Sequence, residues 1–432
     1  MSGIAKFFLA NGYTVSGSER ESSAVTTKLK NLGAKIYIGH KKENVVGADV
    51  VVYTSAISDE NPEIKEAIKR KIKVFKRSEV LGAILKRYNK SVGIAGCHGK
   101  TTATAMLTHI LSDSDINVAA FIGGDDLTFG NYKSGKDICV AEACEYKKNF
   151  LDLNPTISVI LNVDCDHMES YGSFENLLSA FKQFSQSEYS VINADDENCV
   201  KIIGDETLTF GIKNFADYTA GNVMEGENGY SFTAFKRGKK LGDVTLSVKG
   251  YHNVYNALAA IACADILGVK FDTENLRKFK GVSRRQEFLG KVKGVKVFAD
   301  YAHHPTEITE TLKAFNVSDS DLVVFQPHTY SRTRLLAEEF VAALKPVKNL
   351  LIYKTFPARE KFNIDGDAFT LYKKLKTVNG GVKFAADYKD LSKKVNLYSA
   401  KKEKSRRIIV LGAGDVYYDA KKIIIENACQ SR

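Results

Sequence analysis

An α/β fold built on parallel sheets follows from three observations. Short β-branched runs alternate along the chain with stretches of helical periodicity, the pattern of strands joined by crossover helices. One strand-like run, Ser91–Ala95, passes through glycines into a helix-like run that begins at Lys100. The chain has 432 residues, and at roughly 100–200 residues per domain that length predicts two to four domains, each with its own core.

The elements fall into three blocks. The first opens with a helix over Ser2–Asn11 and a strand over Tyr13–Ser16, followed by strands at Lys35–Ile38, Val50–Thr54 and Ile72–Lys76. The second starts near Lys90 with the strand Ser91–Ala95 and the helix from Lys100. Strands at Ile138–Ala141 and Ile157–Asn162 follow, then a β insertion around Thr207–Val248. The third follows Gly281, with strands at Val295–Ala299, Leu322–Gln326, Leu350–Tyr353 and Arg407–Gly412. Six prolines are too few to mark linkers, so the boundaries near residues 89 and 284 rest on changes of pattern.

Composition narrows the function classes. A chain that is 44% hydrophobic and 26% charged is neither disordered nor fibrous. No stretch reaches the roughly 20 apolar residues of a membrane helix, and Met1–Ala10 carries Lys6 and leads to no cleavage site, so neither membrane insertion nor a signal peptide is expected. Seven cysteines without a CxxC pair suit reduced thiols in the cytoplasm. The formal charge of +11 suits anionic partners. Its local concentrations, Lys65–Arg77 and Lys401–Arg407, lack the stacked aromatics of a nucleic-acid module and read as solvated faces, so no nucleic-acid partner is expected.

The sharpest motif is Gly93-Ile-Ala-Gly96-Cys97-His98-Gly99-Lys100-Thr101-Thr102. Backbone N–H groups at a helix start can cradle phosphate oxygens, a lysine neutralises their charge, and a threonine hydroxyl can ligate Mg²⁺. Ile94 stands where the strict GxxxxGK[ST] pattern has its first glycine, and Gly96 gives a tighter loop. Glu142 and the segment Asn162-Val-Asp-Cys-Asp-His167 follow two further strands, where a parallel sheet delivers side chains to a ligand crevice. A carboxylate and an imidazole there can share magnesium with ATP; taken singly, Glu142 also suits a helix cap and His167 a surface hydrogen bond. Asn253 and Asn256, three apart on one helix face, suit either a base or ribose or a capping role.

These residues in this order resemble the Mur ligase superfamily, ATP-dependent amide-bond formers of cell-wall synthesis. The stretches Gly281-Val-Ser-Arg284-Arg285-Gln-Glu287-Phe, Asp300-Tyr301-Ala-His303-His304-Pro305-Thr-Glu307, Gln326-Pro-His328-Thr-Tyr330-Ser-Arg332-Thr-Arg334 and Leu411-Gly-Ala-Gly-Asp415 extend the resemblance over the whole chain. They are most similar to the members that join L-alanine to UDP-N-acetylmuramate. The resemblance implies a Rossmann-like N-terminal domain (1–89), a central P-loop ATPase-like domain (90–283) and a C-terminal Rossmann-like domain (284–432). It implies ATP and Mg²⁺ as cofactors, and a monomer or homodimer. A murein-recycling ligase, which adds a preformed peptide to the same UDP sugar, and a non-catalytic nucleotide-binding protein of cell-wall assembly remain the rival readings.

By that resemblance Gly96, His98, Gly99, Lys100, Thr101, Thr102, Asn162, Asn253, Asn256, Arg285 and Asp300 surround ATP. Thr101, Glu142 and His167 hold metal, and Lys100, Glu142, His167, Arg285 and Asp300 form the catalytic set. Ser18, His40, Ser55 and Ala56 face the UDP sugar, and Tyr301, His303, His304, His328 and Arg332 line the amino-acid pocket. No side chain stands out as a base for the amine. Cys97, Cys144 and Thr329 depart from the commoner residues of relatives. The superfamily's opening strand and glycine-rich loop, on the order of 8–15 residues, are expected to be missing before Met1-Ser2-Gly3, with weaker binding of the UDP substrate as the consequence.

Overall fold

The computed structural model describes residues 1–270, 273–401 and 406–430. Residues 402–405, most of the basic stretch 401–407, lie outside them. The chain divides into two compact units: Met1–Val248 with His252–Gly281, and Lys249–Tyr251 with Val282–Arg432. No helix among the described residues is long and apolar enough to cross a membrane.

The first unit is organised by a ten-stranded sheet. In spatial order its strands are Lys239–Thr245, Tyr230–Lys236, Tyr218–Glu225, Thr207–Gly211, Tyr189–Asn193, Ile157–Ile160, Lys90–Ala95, Ile138–Glu142, Val118–Asp126 and Gly130–Lys133. The run from Tyr218–Glu225 to Val118–Asp126 is parallel, and antiparallel strands flank it on both sides. The expected β insertion around Thr207–Val248 is therefore an extension of the central sheet, joined through the register Ser190↔Thr207. Central strands buried on both faces read as continuous apolar runs. Ile157–Ile160 is buried at every position, and the helix Lys100–Ser112 is buried continuously from Ala103 to Leu111.

The same unit holds the N-terminal block. The helix Ser2–Ala10 buries Ile4 and Phe7, with the Phe7 ring 5.9 Å from Phe121 and 6.2 Å from Tyr132 on the central sheet. Asn131 ties it further, accepting from Lys6 Nζ at 2.5 Å and donating to Ser2 Oγ at 2.7 Å. Burying a side chain the size of Phe7 stabilises by about 1.5–3 kcal/mol. The block's strands form two separate two-stranded parallel sheets, Ser16–Glu19 with Lys35–Ile38 and Val50–Tyr53 with Lys73–Lys76. The strand expected at Tyr13–Ser16 is displaced to Ser16–Glu19, because its partner sets the register Ser16↔Lys35.

The second unit carries a six-stranded sheet in the order Glu287–Val292, Val295–Asp300, Arg407–Leu411, Leu322–Phe325, Asn349–Tyr353, Lys383–Ala385. All neighbours are parallel except the first pair. Its two faces are covered by separate apolar clusters, one around Val297, Leu351 and Val410, the other around Phe325, Phe340 and Leu371.

Candidate functional site

In the first unit, three adjacent parallel strands end side by side, Ile157–Ile160, Lys90–Ala95 and Ile138–Glu142, and each delivers one part of the site from its carboxyl end. The middle strand leads into Gly96, with φ +139°, and Gly99, with φ +84°, backbone conformations that favour glycine. Gly99 caps the helix Lys100–Ser112. Asn162 clasps the loop from the neighbouring strand end: its Oδ1 accepts from His98 N at 2.8 Å and its Nδ2 donates to the His98 carbonyl at 3.0 Å. His98 Nε2 lies 3.0 Å from Asp164 Oδ2. Asp164 N also donates to Cys97 Sγ at 3.1 Å.

Lys100 turns back over this loop. Its Nζ donates to the carbonyls of Gly96 (2.6 Å) and Cys97 (3.1 Å) and to Glu145 Oε1 (3.0 Å). Burial alone would pull its pKa down, but the Glu145 and Glu142 carboxylates hold it well above the ordinary lysine value, so the ammonium is permanent. The nearby thiols are neutral. Burial, then the Glu145 charge, pushes Cys144 up to about 12 and Cys97 well above its usual range. These two residues therefore add no charge to the loop.

Thr101 Oγ1 donates to Glu142 Oε2 at 2.7 Å. Gly123 leaves space for that carboxylate: a Cβ there would stand 2.0 Å from Glu142 Oε2. An alkoxy oxygen and a carboxylate beside a phosphate cradle are the oxygen donors that Mg²⁺ takes. Thr102 follows in the first turn of the helix. His167, with φ +55° at the N-cap of a short helix, clusters with Glu145 and Asp166; its Nε2 is 3.8 Å from Glu145 Oε1 and 3.7 Å from Asp166 Oδ2. Asn253 and Asn256 are both buried and bonded to each other at 3.0 Å. Asn256 Oδ1 lies against Gly99, 2.5 Å from where a Cβ would be, which places this pair under the phosphate loop.

Sequence reasoning missed Glu145, whose side chain is only 1% exposed and which joins Lys100 to His167. The acidic residue three positions past Glu142 was the available signal; only the fold reveals its partners. Glu63 was missed in the same way. Ser18 Oγ donates to Glu63 Oε2 at 2.7 Å and lies 2.9 Å from His40 Nδ1, so Ser18 and His40 are brought together by this carboxylate. Ser55 sits elsewhere, donating to Asn149 Oδ1 at 3.0 Å with its carbonyl accepting from Lys147 Nζ, and Ala56 follows it at the end of the second small sheet.

In the second unit the adjacent strands Val295–Asp300, Arg407–Leu411 and Leu322–Phe325 likewise present their carboxyl ends together. Asp300 is buried and accepts from Gln286 N and Ala302 N, each at 2.9 Å. Burial pushes its pKa up, against the lowering pull of Arg285 and those amides. Arg285 lies over the Tyr301 ring at 5.2 Å and 3.7 Å from Glu307 Oε1. Glu307, a third residue sequence reasoning passed over, accepts from His303 N at 3.1 Å and His304 N at 3.4 Å. Here the signal was local: His304-Pro-Thr-Glu is a capping box with proline at the first helical position. The His303 ring stands 5.2 Å from Tyr301 and 5.3 Å from His328, and Arg332 Nη1 is 3.2 Å from His328 Nδ1. The five expected amino-acid residues are thus linked by the fold. Thr329, at φ +66°, caps the helix that carries Arg332.

Residues 1–89 match the Mur ligase family catalytic domain, residues 94–264 the Mur ligase middle domain, and residues 284–415 the Mur ligase glutamate ligase domain. The chain belongs to the Mur ligase family. It is 41% identical over 375 residues to the UDP-N-acetylmuramate–L-alanine ligase of Clostridium beijerinckii, covering 84% of this chain and 82% of that one. The crystal structure of the UDP-N-acetylmuramate-alanine ligase from Thermotoga maritima superposes with a TM-score of 0.84 at 30% identity, over 100% of this chain and 97% of that one. A murein peptide ligase from Psychrobacter arcticus shares the fold, with a TM-score of 0.74 at 22% identity over 99% and 96% of the two chains.

Proposed function

We infer that this chain is an ATP-dependent ligase that joins L-alanine to the lactyl carboxylate of UDP-N-acetylmuramate, releasing ADP and phosphate. The observation that carries this reading is Lys100, held over a glycine loop at the carboxyl ends of three adjacent parallel strands, in a chain of this family whose relatives carry that name.

The chemistry explains the inventory. A carboxylate does not react with an amine in water, so it must be activated. Transfer of the ATP γ-phosphoryl group makes an acyl phosphate and ADP; the amine then attacks the acyl carbon, and phosphate leaves from the tetrahedral intermediate. Lys100 and the backbone N–H groups at the start of its helix would bind the phosphates and offset the charge of the transferring group. Thr101, Glu142 and His167 would hold Mg²⁺, which supplies further charge neutralisation to the phosphoryl oxygens when bound. Asn162 shapes the loop, with His98, Gly96, Gly99 and Thr102 beside the nucleotide, and Asn253 and Asn256 support it from below. Arg285 and Asp300 would serve the nucleotide from the C-terminal domain. Arg332 is suited to the alanine carboxylate, among Tyr301, His303, His304 and His328. Ser18, His40, Ser55 and Ala56 would meet the UDP sugar. The domain division would be 1–89, 90–283 and 284–432, in a cytoplasmic monomer or homodimer.

Phosphate release from ATP with UDP-N-acetylmuramate tests the reading. Release that depends on added L-alanine is expected. Release that depends on a preformed tripeptide and not on alanine would assign the chain to murein recycling, and no release would remove the catalytic reading.

A further inference from the structure

Arg285, the arginine proposed to serve the nucleotide, stands in an unusual stretch of backbone. The residues on either side of it, Arg284 at φ +64° and Gln286 at φ +51°, both lie in the left-handed region. Non-glycine residues hold such conformations only where their surroundings over-determine them. Here the backbone is tied along its length. Arg285 N donates to the Val282 carbonyl at 3.0 Å, Gln286 N to Asp300 Oδ2 at 2.9 Å, and Arg284 N to Glu287 Oε2 at 2.8 Å. Glu287 is fixed in turn by the Tyr417 hydroxyl, which donates to Oε2 at 2.9 Å. The Arg284 side chain adds a further hold. Tyr417 and Tyr418, on the helix Val416–Gln430, set their rings at 79° to one another. The guanidinium lies over both, 4.3 Å from the Tyr417 ring centre and 4.8 Å from that of Tyr418, and its Nη1 donates to the Ala413 carbonyl at 3.4 Å. A flat cation is attracted to aromatic faces, and a lysine would offer no plane to stack on them.

We propose that Arg284 is the positioning residue for Arg285: anchored on Tyr417 and Tyr418, it holds the strained turn that presents its neighbour's guanidinium. This rests on the ligase reading above and deepens it. Arg284 spends its own guanidinium on two rings and a carbonyl, whereas Arg285 lies over the Tyr301 ring near Glu307. The adjacent arginines therefore divide the work, one as the anchor and the other as the group offered to the nucleotide. Tyr418, an aromatic residue that is 64% exposed, gains a role in nucleotide binding through Arg284.

The test measures the affinity of the full chain for a non-hydrolysable ATP analogue by isothermal titration calorimetry, which reads inactive variants as well. Arg285→Ala and Arg284→Ala should each weaken binding at least about tenfold. The double variant should bind within about twofold of Arg285→Ala, because the anchor acts through the residue already removed. Arg284→Lys, which keeps the charge and loses the plane, should behave as Arg284→Ala. If circular dichroism shows that Arg284→Ala does not fold, the exposed Tyr418 gives the answer. Tyr418→Leu should weaken binding in the wild-type background and not in Arg285→Ala, while Tyr418→Phe keeps the ring and should bind as wild type does. Arg284→Ala or Arg284→Lys, or Tyr418→Leu in their place, binding within about twofold of wild type would overturn the proposal. A double variant whose loss is the product of the two single losses would do the same. Arg285→Ala that binds as wild type would overturn it together with the role given to Arg285, while phosphate release still upholds the ligase reading. A wild type that neither binds the analogue nor releases phosphate would overturn both.

Discussion

The phosphate loop of the first unit and the histidine cluster of the second both stand at the carboxyl ends of three adjacent strands, yet they are held by opposite means. The loop is fixed by backbone shape and buried charge: two positive-φ glycines, the Asn162 clasp, and Lys100 paired with Glu145. The cluster is a chain of half-buried rings, Tyr301, His303 and His328, ending on Arg332, with Glu307 fixing its base through a helix cap. The contrast suits the two ligands proposed for these regions. A triphosphate is bound by a preset array of N–H groups and one charge, whereas a small amino acid needs a fork and a shaped wall. It follows that substitutions in the loop should disturb stability and nucleotide chemistry together. Substitutions in the cluster should disturb amino-acid binding alone.

Lys100→Met should break the loop most severely. Loss of charge stabilisation at the transferring phosphoryl group should lower kcat by at least about 10³-fold. The buried Glu145 left without its partner should destabilise the fold by about 3–5 kcal/mol, read by denaturant unfolding. The double variant Lys100→Met/Glu145→Gln should recover much of that stability and none of the activity. Gly99→Ala comes next. Its φ of +84° and the 2.5 Å approach of Asn256 Oδ1 should cost about 1–3 kcal/mol and raise the KM for ATP in steady-state kinetics. Arg332→Lys has the smallest effect: it replaces a planar fork with a point charge. The KM for L-alanine should rise about tenfold, with the KM for ATP and the melting temperature essentially unchanged. Equal rises in both KM values would erase the contrast between the two regions.

The sequence made much of this fold legible where the signal is local. The strand Lys35–Ile38 and the helix start at Lys100 fall where the pattern puts them, because β-branched alternation and a glycine-to-lysine junction are properties of adjacent residues. The strand Ser16–Glu19 was misplaced because Tyr13-Thr-Val has the higher β propensity, while pairing with Lys35–Ile38 decides the register. The strand Val118–Asp126 escaped notice for the same reason: its alanines and glycines carry little β signal, and burial between its neighbours makes it a strand. At the site, Lys100, Thr101 and Glu142 could be read from motif chemistry. Glu63, Glu145 and Glu307 could not be assigned in that way. A carboxylate's role is set by which cation or N–H the tertiary fold brings to it, and only Glu307 has a local signature.

Acyl-phosphate formation is tested most directly by following oxygen. UDP-N-acetylmuramate labelled with ¹⁸O in its lactyl carboxylate is incubated with ATP, L-alanine and this chain, and the released phosphate is analysed by mass spectrometry. Attack of the carboxylate on ATP and expulsion of phosphate by the amine carry one labelled oxygen into each phosphate. Amide formation accompanied by unlabelled phosphate would contradict the mechanism.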